Sequence, residues 1–333
     1  MNELLSLASF NLHNLGAEAE PGRLHRLGRF IVEHLQAPTI LAVQELAARA
    51  GDLPTVSGVA TARVLMEAIR DAGGPGYAYQ EVAPVADADG GQAGLNIRVG
   101  LLFDPARVIF PLRASADPGQ TVTIQQGHPP RFSPNPGRIE PGHAAFHGEP
   151  GLGWRPSRKA LTGEFQVAGA PLYIVNCHLK SMRARGRREA LHARKQRHAQ
   201  AERIAHFVRA LLACRDDARL VVLGDFNDGI NSRTLEILKA SGLRNVLDTL
   251  PAGLRHTCNH GANLQTLDHL LISTALEALD TRIVHQRRCG LAPPVSDHDP
   301  ILTRLAAVPV QATGQCAGGN PPRQPAAFNT VVH

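Results

Sequence analysis

A chain of 333 residues, 43% hydrophobic and 19% charged, can bury a sizeable core, which excludes fibrous and intrinsically disordered classes. Its net charge of +6 suits a polyanionic partner, while an aromatic content of 4% excludes a surface built mainly on stacking rings. Five scattered cysteines (Cys177, Cys214, Cys258, Cys289, Cys316) show no CxxC spacing, which argues for free thiols in a reducing compartment and against a thiolate metal site. No apolar stretch is long enough to span a bilayer, and the N-terminus lacks a signal-peptide layout. The expected location is the cytoplasm, with export by another route left open.

In chain order, Leu4–Phe10 is expected to form a first strand ending at Asn11. Apolar residues at Leu24, Leu27, Phe30, Ile31 and Leu35 recur at helical spacing and predict a helix over 23–35, stopped by Pro38. Ile40–Val43 is a short buried strand that leads into Gln44 and Glu45. A second helix is predicted over 61–71, then strands over 77–79 and 97–103. Residues 112–157 are dense in Pro, Gly and His without periodicity and are expected to make a long surface insert. Strands over 160–167 and 172–176 flank the turn Ala168–Pro171, as in a hairpin.

A strongly basic segment runs from Lys180 to Arg203, helical from about Glu189 to Cys214, with an apolar stripe at Ile204, Phe207, Val208 and Leu211. Leu220–Leu223 is a buried strand, followed by a helix over 232–240, a strand over 267–272 and a last one over 295–305. Residues 309–333 have the Gly, Pro, Gln and Ala content of a flexible tail, so the folded domain is expected to span 1–308. Several connections are too short for parallel crossovers, which favours a mixed, largely antiparallel α/β arrangement.

The stretch Val221-Val222-Leu223-Gly224-Asp225-Phe226-Asn227-Asp228 carries the densest chemistry. If it stays extended, Asp225 and Asn227 share a face and Phe226 points into the core. Such a pair can grip a phosphate, a metal ion or a water; the other reading is an Asx turn capping the next helix. Polar residues mark five more apolar runs: Asn11, Glu45, His178, Asp268, and Asp297 with His298. Carboxylate and carboxamide oxygens suit hard cations such as Mg²⁺ or Mn²⁺, and imidazoles can move protons.

Phe10-Asn11-Leu12, Val43-Gln44-Glu45, Asn176-Cys177-His178-Leu179-Lys180-Ser181, Gly224-Asp225-Phe226-Asn227, Leu267-Asp268-His269 and Ser296-Asp297-His298-Asp299-Pro300 together resemble the ordered motif series of the endonuclease/exonuclease/phosphatase superfamily. The resemblance runs from about residue 5 to 306 and implies a four-layer α/β sandwich, two mixed sheets face to face with helices outside. It implies Glu45 as the principal Mg²⁺ (or Mn²⁺) ligand, assisted by Asn11 and Asp297. His298 would be the catalytic imidazole, fixed by Asp268; Asp225 would orient or deprotonate the attacking water. Asn227 would hold a phosphate oxygen, and His178 would stabilise the transition state or protonate the leaving oxygen. Asp228 is then expected to cap the helix that follows. Asp297 and His298 are adjacent, so both reach one site only if the chain turns, which Pro293-Pro294 and Pro300 favour.

Gly91–Gly100 and Ser157-Arg158-Lys159-Ala160 resemble bacterial nuclease-type members, which implies that Arg158 contacts a substrate phosphate. The basic segment 180–203 begins beside His178 and can hold a polyanion by its phosphates, or be a solvated helix face. The expected function is a metal-dependent nuclease working as a monomer on DNA or RNA. The alternatives are a phosphoesterase acting on inositol phosphates or sphingomyelin-like lipids, and a non-catalytic nucleic-acid-binding module.

Overall fold

In the computed structural model, which describes residues 5–48, 58–83, 96–114, 117, 119–139, 142–147, 160–260, 263–291 and 293–308, two six-stranded sheets pack face to face. The elements begin with β1 (Leu5–Leu15), α1 (Pro21–Glu33), β2 (Ile40–Leu46), α2 (Val59–Asp71), β3 (Ala78–Gln80) and β4 (Arg98–Phe103). Then come β5 (Thr123–Gln125), β6 (Arg131–Ser133), β7 (Gly137–Arg138), β8 (Leu161–Val167) and β9 (Ala170–His178). They continue with α3 (Arg187–Cys214), β10 (Leu220–Asp225), α4 (Arg233–Lys239), β11 (Arg244–Asn245), β12 (Cys258–His260) and β13 (Asn263–Gln265). β14 (Asp268–Ile272), β15 (Leu276–Ile283) and β16 (Ile301–Ala307) complete the set.

One sheet runs β15-β16-β1-β2-β4-β3 and the other β11-β14-β10-β9-β8-β7. Within them only β1/β2 and β9/β10 are parallel, and each of those pairs is joined through a helix, α1 or α3, as a parallel crossover requires. Central strands are buried on both faces, which is why they read as unbroken apolar runs. Leu7, Ile40, Ala42, Val99 and Leu101 meet Phe165, Ile174, Val221, Leu223 and Leu270 between the sheets. The alternate residues Phe10, Leu41 and Val43 face α1 and α2 through Leu27, Phe30, Ile31 and Leu65. On the far side Tyr173, Val175 and Val222 face Ile204, Phe207, Leu211 and Leu235 of α3 and α4. The four layers follow from that alternation, each buried side chain contributing about 1.5–3 kcal/mol. Among the described residues no helix is long and apolar enough to cross a membrane.

The 112–157 segment departs from expectation. Its described parts include exposed stretches such as β5, yet a few anchors set it into the second sheet. Phe132 is fully buried against Tyr173 and Phe207, at ring separations of 5.0 and 5.3 Å. Asn135 Nδ2 donates to Pro111 O at 2.8 Å and Glu164 O at 3.0 Å, and β7 adds an edge strand to β8. Single anchor residues hold the segment, so no periodicity announces it. β15 also went unpredicted, because an edge strand reading LEALDTRI is half exposed and carries no apolar run. The expected strand over 295–305 begins only at Ile301, and the tail 309–333 lies outside the described residues.

Gly224 allows the tightest approach in the second sheet. Its φ is +127°, and a Cβ there would fall 2.0 Å from the carbonyl oxygen of Cys177 on β9. Gly224→Ala should therefore destabilise the fold by about 3 kcal/mol or more, read as a shift in the denaturant midpoint. An unchanged midpoint would show that β9 and β10 can separate without cost.

Candidate active site

At one end of the sandwich the rows of side chains between the sheets change from apolar to polar. Leu7 is followed on its face by Ser9 and Asn11, Ala42 by Gln44, Ile174 by Asn176 and His178, and Leu223 by Asp225. Register places Asp225 opposite His178 on one side and Asp268 on the other. Glu45 would point to the helix side by simple alternation. Its φ of +59° and the register shift between Gln44 and Leu46 mark a β-bulge that re-aims it.

The two sheets are pinned together just below. Gln44 Nε2 donates to Asn176 Oδ1 at 2.8 Å, while Asn176 Nδ2 donates to Val43 O at 3.0 Å and Gly100 O at 2.9 Å. Both side chains are fully buried. Sequence reading included these residues in motifs but gave them no task. Their signal was a carboxamide inside an apolar run, where a buried amide must find partners.

Asp225 is the hub of the cluster and is 2% exposed. Its Oδ2 accepts from Asn11 Nδ2 at 3.0 Å and Asn227 Nδ2 at 3.2 Å, and lies 3.3 Å from His178 Nε2. Asn227 N donates to Asp225 Oδ1 at 2.8 Å, and Asn227 has a φ of +51°. The Asp225/Asn227 pairing is thus an Asx turn beyond the strand end, not two residues on one face of an extended strand. Phe226 is fully buried, as expected. Burial, with the charge of Asp268 beside it, pushes the Asp225 carboxyl up to about 7.

Glu45 Oε1 lies 3.6 Å from His178 Nε2, and Glu45 Oε2 accepts from Asn14 N at 2.9 Å. His298 Nδ1 lies 2.7 Å from Asp268 Oδ2, both nearly buried. Burial works against charge on His298, but the Asp268 carboxylate overcomes it and holds the imidazole well above its ordinary range. Two groups of potential ligand atoms result, Glu45/His178/Asp225 and Asp225/Asp268/His298, which share Asp225. Asp297 stands outside both groups; its carboxylate faces His13 Nδ1 at 3.6 Å and is partly exposed. Arg158 lies outside the described residues.

The loop before β16 does turn, and a strap unnoticed in the sequence holds it. Cys258 pairs with His298 in an isolated bridge, Asn259 N donates to Asp297 O at 3.1 Å, and Asp299 N donates to Thr257 O at 2.6 Å. Thr257 Oγ1 also accepts from Leu267 N and Asp268 N, each at 3.0 Å. One three-residue stretch therefore braces both Asp268 and His298. Ser296 Oγ ties the loop to Asn11 O at 2.7 Å, and Arg23 Nε ties it to α1 through Val295 O at 3.0 Å. Asp228 does not cap the following helix. Ser232 does, while Asp228 Oδ2 accepts from Thr234 Oγ1 at 2.7 Å and Arg197 Nε at 3.4 Å.

A third group, His256/His285/Asp299, adjoins this loop. Its imidazoles stack 4.0 Å apart at 16°, so no point lies in the plane of both rings and one ion cannot take both lone pairs. Asp299 instead accepts from Gln286 N and Asn259 Nδ2 at 2.9 Å and faces His285 Nδ1 at 2.9 Å. Burial alone would raise its carboxyl; these partners hold it below its ordinary value of 3.8. The unfolded chain then binds that proton more readily, so the stabilising contribution is complete above the ordinary value and is lost as pH falls through the folded one. Asp299→Asn should cost about 2 kcal/mol at neutral pH, the deficit narrowing in acid. Equal deficits at both pH values would mean that shape, not charge, matters there.

The model of the "Endonuclease/Exonuclease/phosphatase family" matches residues 8–298. Human Nocturnin's catalytic domain with a bound sulfate anion superposes with a TM-score of 0.55 at 15% identity, covering 92% of this chain and 94% of its own. A Bacteroides thetaiotaomicron mannosyl-6-phosphatase gives a TM-score of 0.55 at 16% identity, with 91% and 99% covered. D. rerio TDP2 complexed with single strand DNA product gives 0.53 at 14% identity, with 91% and 99% covered. No curated protein sequence matches significantly. These likenesses concern the fold.

Proposed function

The chain belongs to the endonuclease/exonuclease/phosphatase family, and from that premise we propose that it is a divalent-metal-dependent phosphodiesterase that hydrolyses nucleic acid. The observation that carries the reading is the convergence on Asp225 of the Glu45/His178 group and the Asp268/His298 pair. Glu45, Asn11 and Asp297 would hold Mg²⁺ or Mn²⁺. The fit rests on hard oxygen donors, on two carboxylates reached by solvent, and on the Asn11 amide, whose nitrogen is committed to Asp225. Such an ion supplies charge for a phosphoryl oxygen and orients it.

The remaining work falls to the side chains. His298, held charged by Asp268 through Nδ1, would set its positive charge against the negative charge building on phosphorus. Asp225 orients that water from inside the same hydrogen-bond network. In this reading Asn227, whose Nδ2 donates to Leu179 O and Asp225 Oδ2, would turn its amide to a phosphate oxygen, and His178, between Glu45 and Asp225, would stabilise the departing oxygen.

Nucleic acid is favoured among phosphoesters by the net charge and by the exposed Arg183, Arg185, Arg187, Arg188 and Arg194, which follow directly on the His178 strand end. Other members of the basic run are used internally, Arg197 on Asp228 and Arg203 on Gly142 O. Purified protein should cut DNA or RNA with Mg²⁺ or Mn²⁺ and lose all activity in chelator. Phosphate release from inositol or sugar phosphates, with DNA and RNA untouched under both metals, would replace the nuclease reading with a phosphomonoesterase.

A further inference from the structure

A cavity of about 660 Å³ lies between the first half of α3, the start of α4 and the turn at 143–145. That volume lies within the usual range for ligand sites. Arg194, Lys195, His198, Arg233 and His143 line it. The two acidic residues in the lining are already engaged. Glu202 lies 2.8 Å from His143 Nε2, and Asp228 is held by Thr234 and Arg197. The guanidinium of Arg194 is exposed, Arg233 stands at the rim with Glu236 at 3.2 Å, and Lys195 Nζ sits 5.0 Å over the Phe146 ring. The cavity therefore offers a surplus of cationic donors. Burial holds His198 below the ordinary imidazole range, which suits it to a neutral hydrogen bond within that set.

Its position is as informative as its charge. Asp228 forms part of the wall and is the chain neighbour of Asn227, whose amide lies on Asp225. Arg197 Nη1 donates to Lys180 O at 3.2 Å, and Lys180 N donates to Gln200 Oε1 at 2.8 Å. The same helix thus carries the cavity on its outer side and fixes the strand end that presents His178.

We infer that this cavity is a second phosphate subsite, taking the sugar–phosphate backbone of a nucleic-acid strand beside the reacting phosphodiester. The inference rests on the nuclease reading above and adds the face over which the strand runs. Recognition is of phosphate charge, without base readout.

The test uses the full chain in chelator, so that nothing is cleaved, with a labelled single strand of about a dozen nucleotides followed by fluorescence anisotropy between about 50 and 200 mM salt. The Arg194→Ala/Arg233→Ala double variant should bind about tenfold more weakly, with a salt slope shallower by about 1.4, roughly 0.7 per lost phosphate contact. Arg194→Lys/Arg233→Lys should keep the wild-type slope. Wild-type affinity and slope in the alanine variant would overturn the subsite and leave the nuclease reading standing. A wild-type chain that cleaves nucleic acid with metal but does not bind it in chelator would overturn the subsite as well. Neither binding nor cleavage by the wild type would remove both.

Discussion

His298→Ala should lower kcat by about 10³-fold or more in a protein that still folds, with a lowered thermal midpoint. The side chain is 7% exposed, and its Nδ1 is committed to Asp268 at 2.7 Å, so in the proposed mechanism that nitrogen fixes the orientation of the ring. Removing the ring eliminates the charged imidazole and leaves Asp268 buried without its partner, which makes a folding control necessary. His298→Asn keeps a donor toward Asp268 in the place of Nδ1 and serves as that control; it should be nearly as inactive as alanine but more stable. Asp268→Asn should also lose most turnover, because a carboxamide no longer favours the charged imidazole that Asp268 supports. A His298→Ala enzyme within tenfold of wild type would mean that the imidazole is structural and that another group meets the charge on phosphorus.

Glu45→Gln should weaken Mn²⁺ binding by about 100-fold, measured calorimetrically, with kcat/KM falling in parallel at limiting metal. The substitution keeps the shape of the side chain and the bond to Asn14 N, and removes only the charge. High metal should then restore part of the rate, which separates lost affinity from lost chemistry. Glu45 is the most solvent-open member of its group, 15% exposed against 1% and 2% for His178 and Asp225, so the proposed cation would meet its carboxylate first. Unchanged Mn²⁺ affinity would move the ion to the Asp225/Asp268/His298 group instead.

Much of this site could be read from the chain because polar residues at the ends of buried strands stand out against apolar runs. Asn11, Glu45, His178, Asp225 and Asp268 all carried that signal, and all converge. Backbone geometry did not show through. The bulge that turns Glu45 and the left-handed φ of Asn227 depend on neighbouring strands, so alternation alone gave the wrong reason for the Asp225/Asn227 pairing. The Thr257–Asn259 strap was illegible because its work is done mostly by backbone groups, which any sequence possesses. For the 112–157 segment, isolated anchors such as Phe132 and Asn135 resemble loop residues until their partners on β8 and β9 are known.

β1 lies between β2, its near neighbour in the chain, and β16, the last described strand, with Leu5 opposite Leu305 and Ser9 opposite Ile301. On the ribosome, therefore, the first strand waits for a partner that is synthesised almost 300 residues later, its edge open in the meantime. The Ser296–Asn11 tie, at a separation of 285 residues, closes in the same step. His298 lies three residues before the start of β16, so the proposed dyad and the closed sheet arrive together. A chain lacking residues 296–307 would carry Asn11 and Glu45 but leave the edge of β1 open and Asp268 without His298.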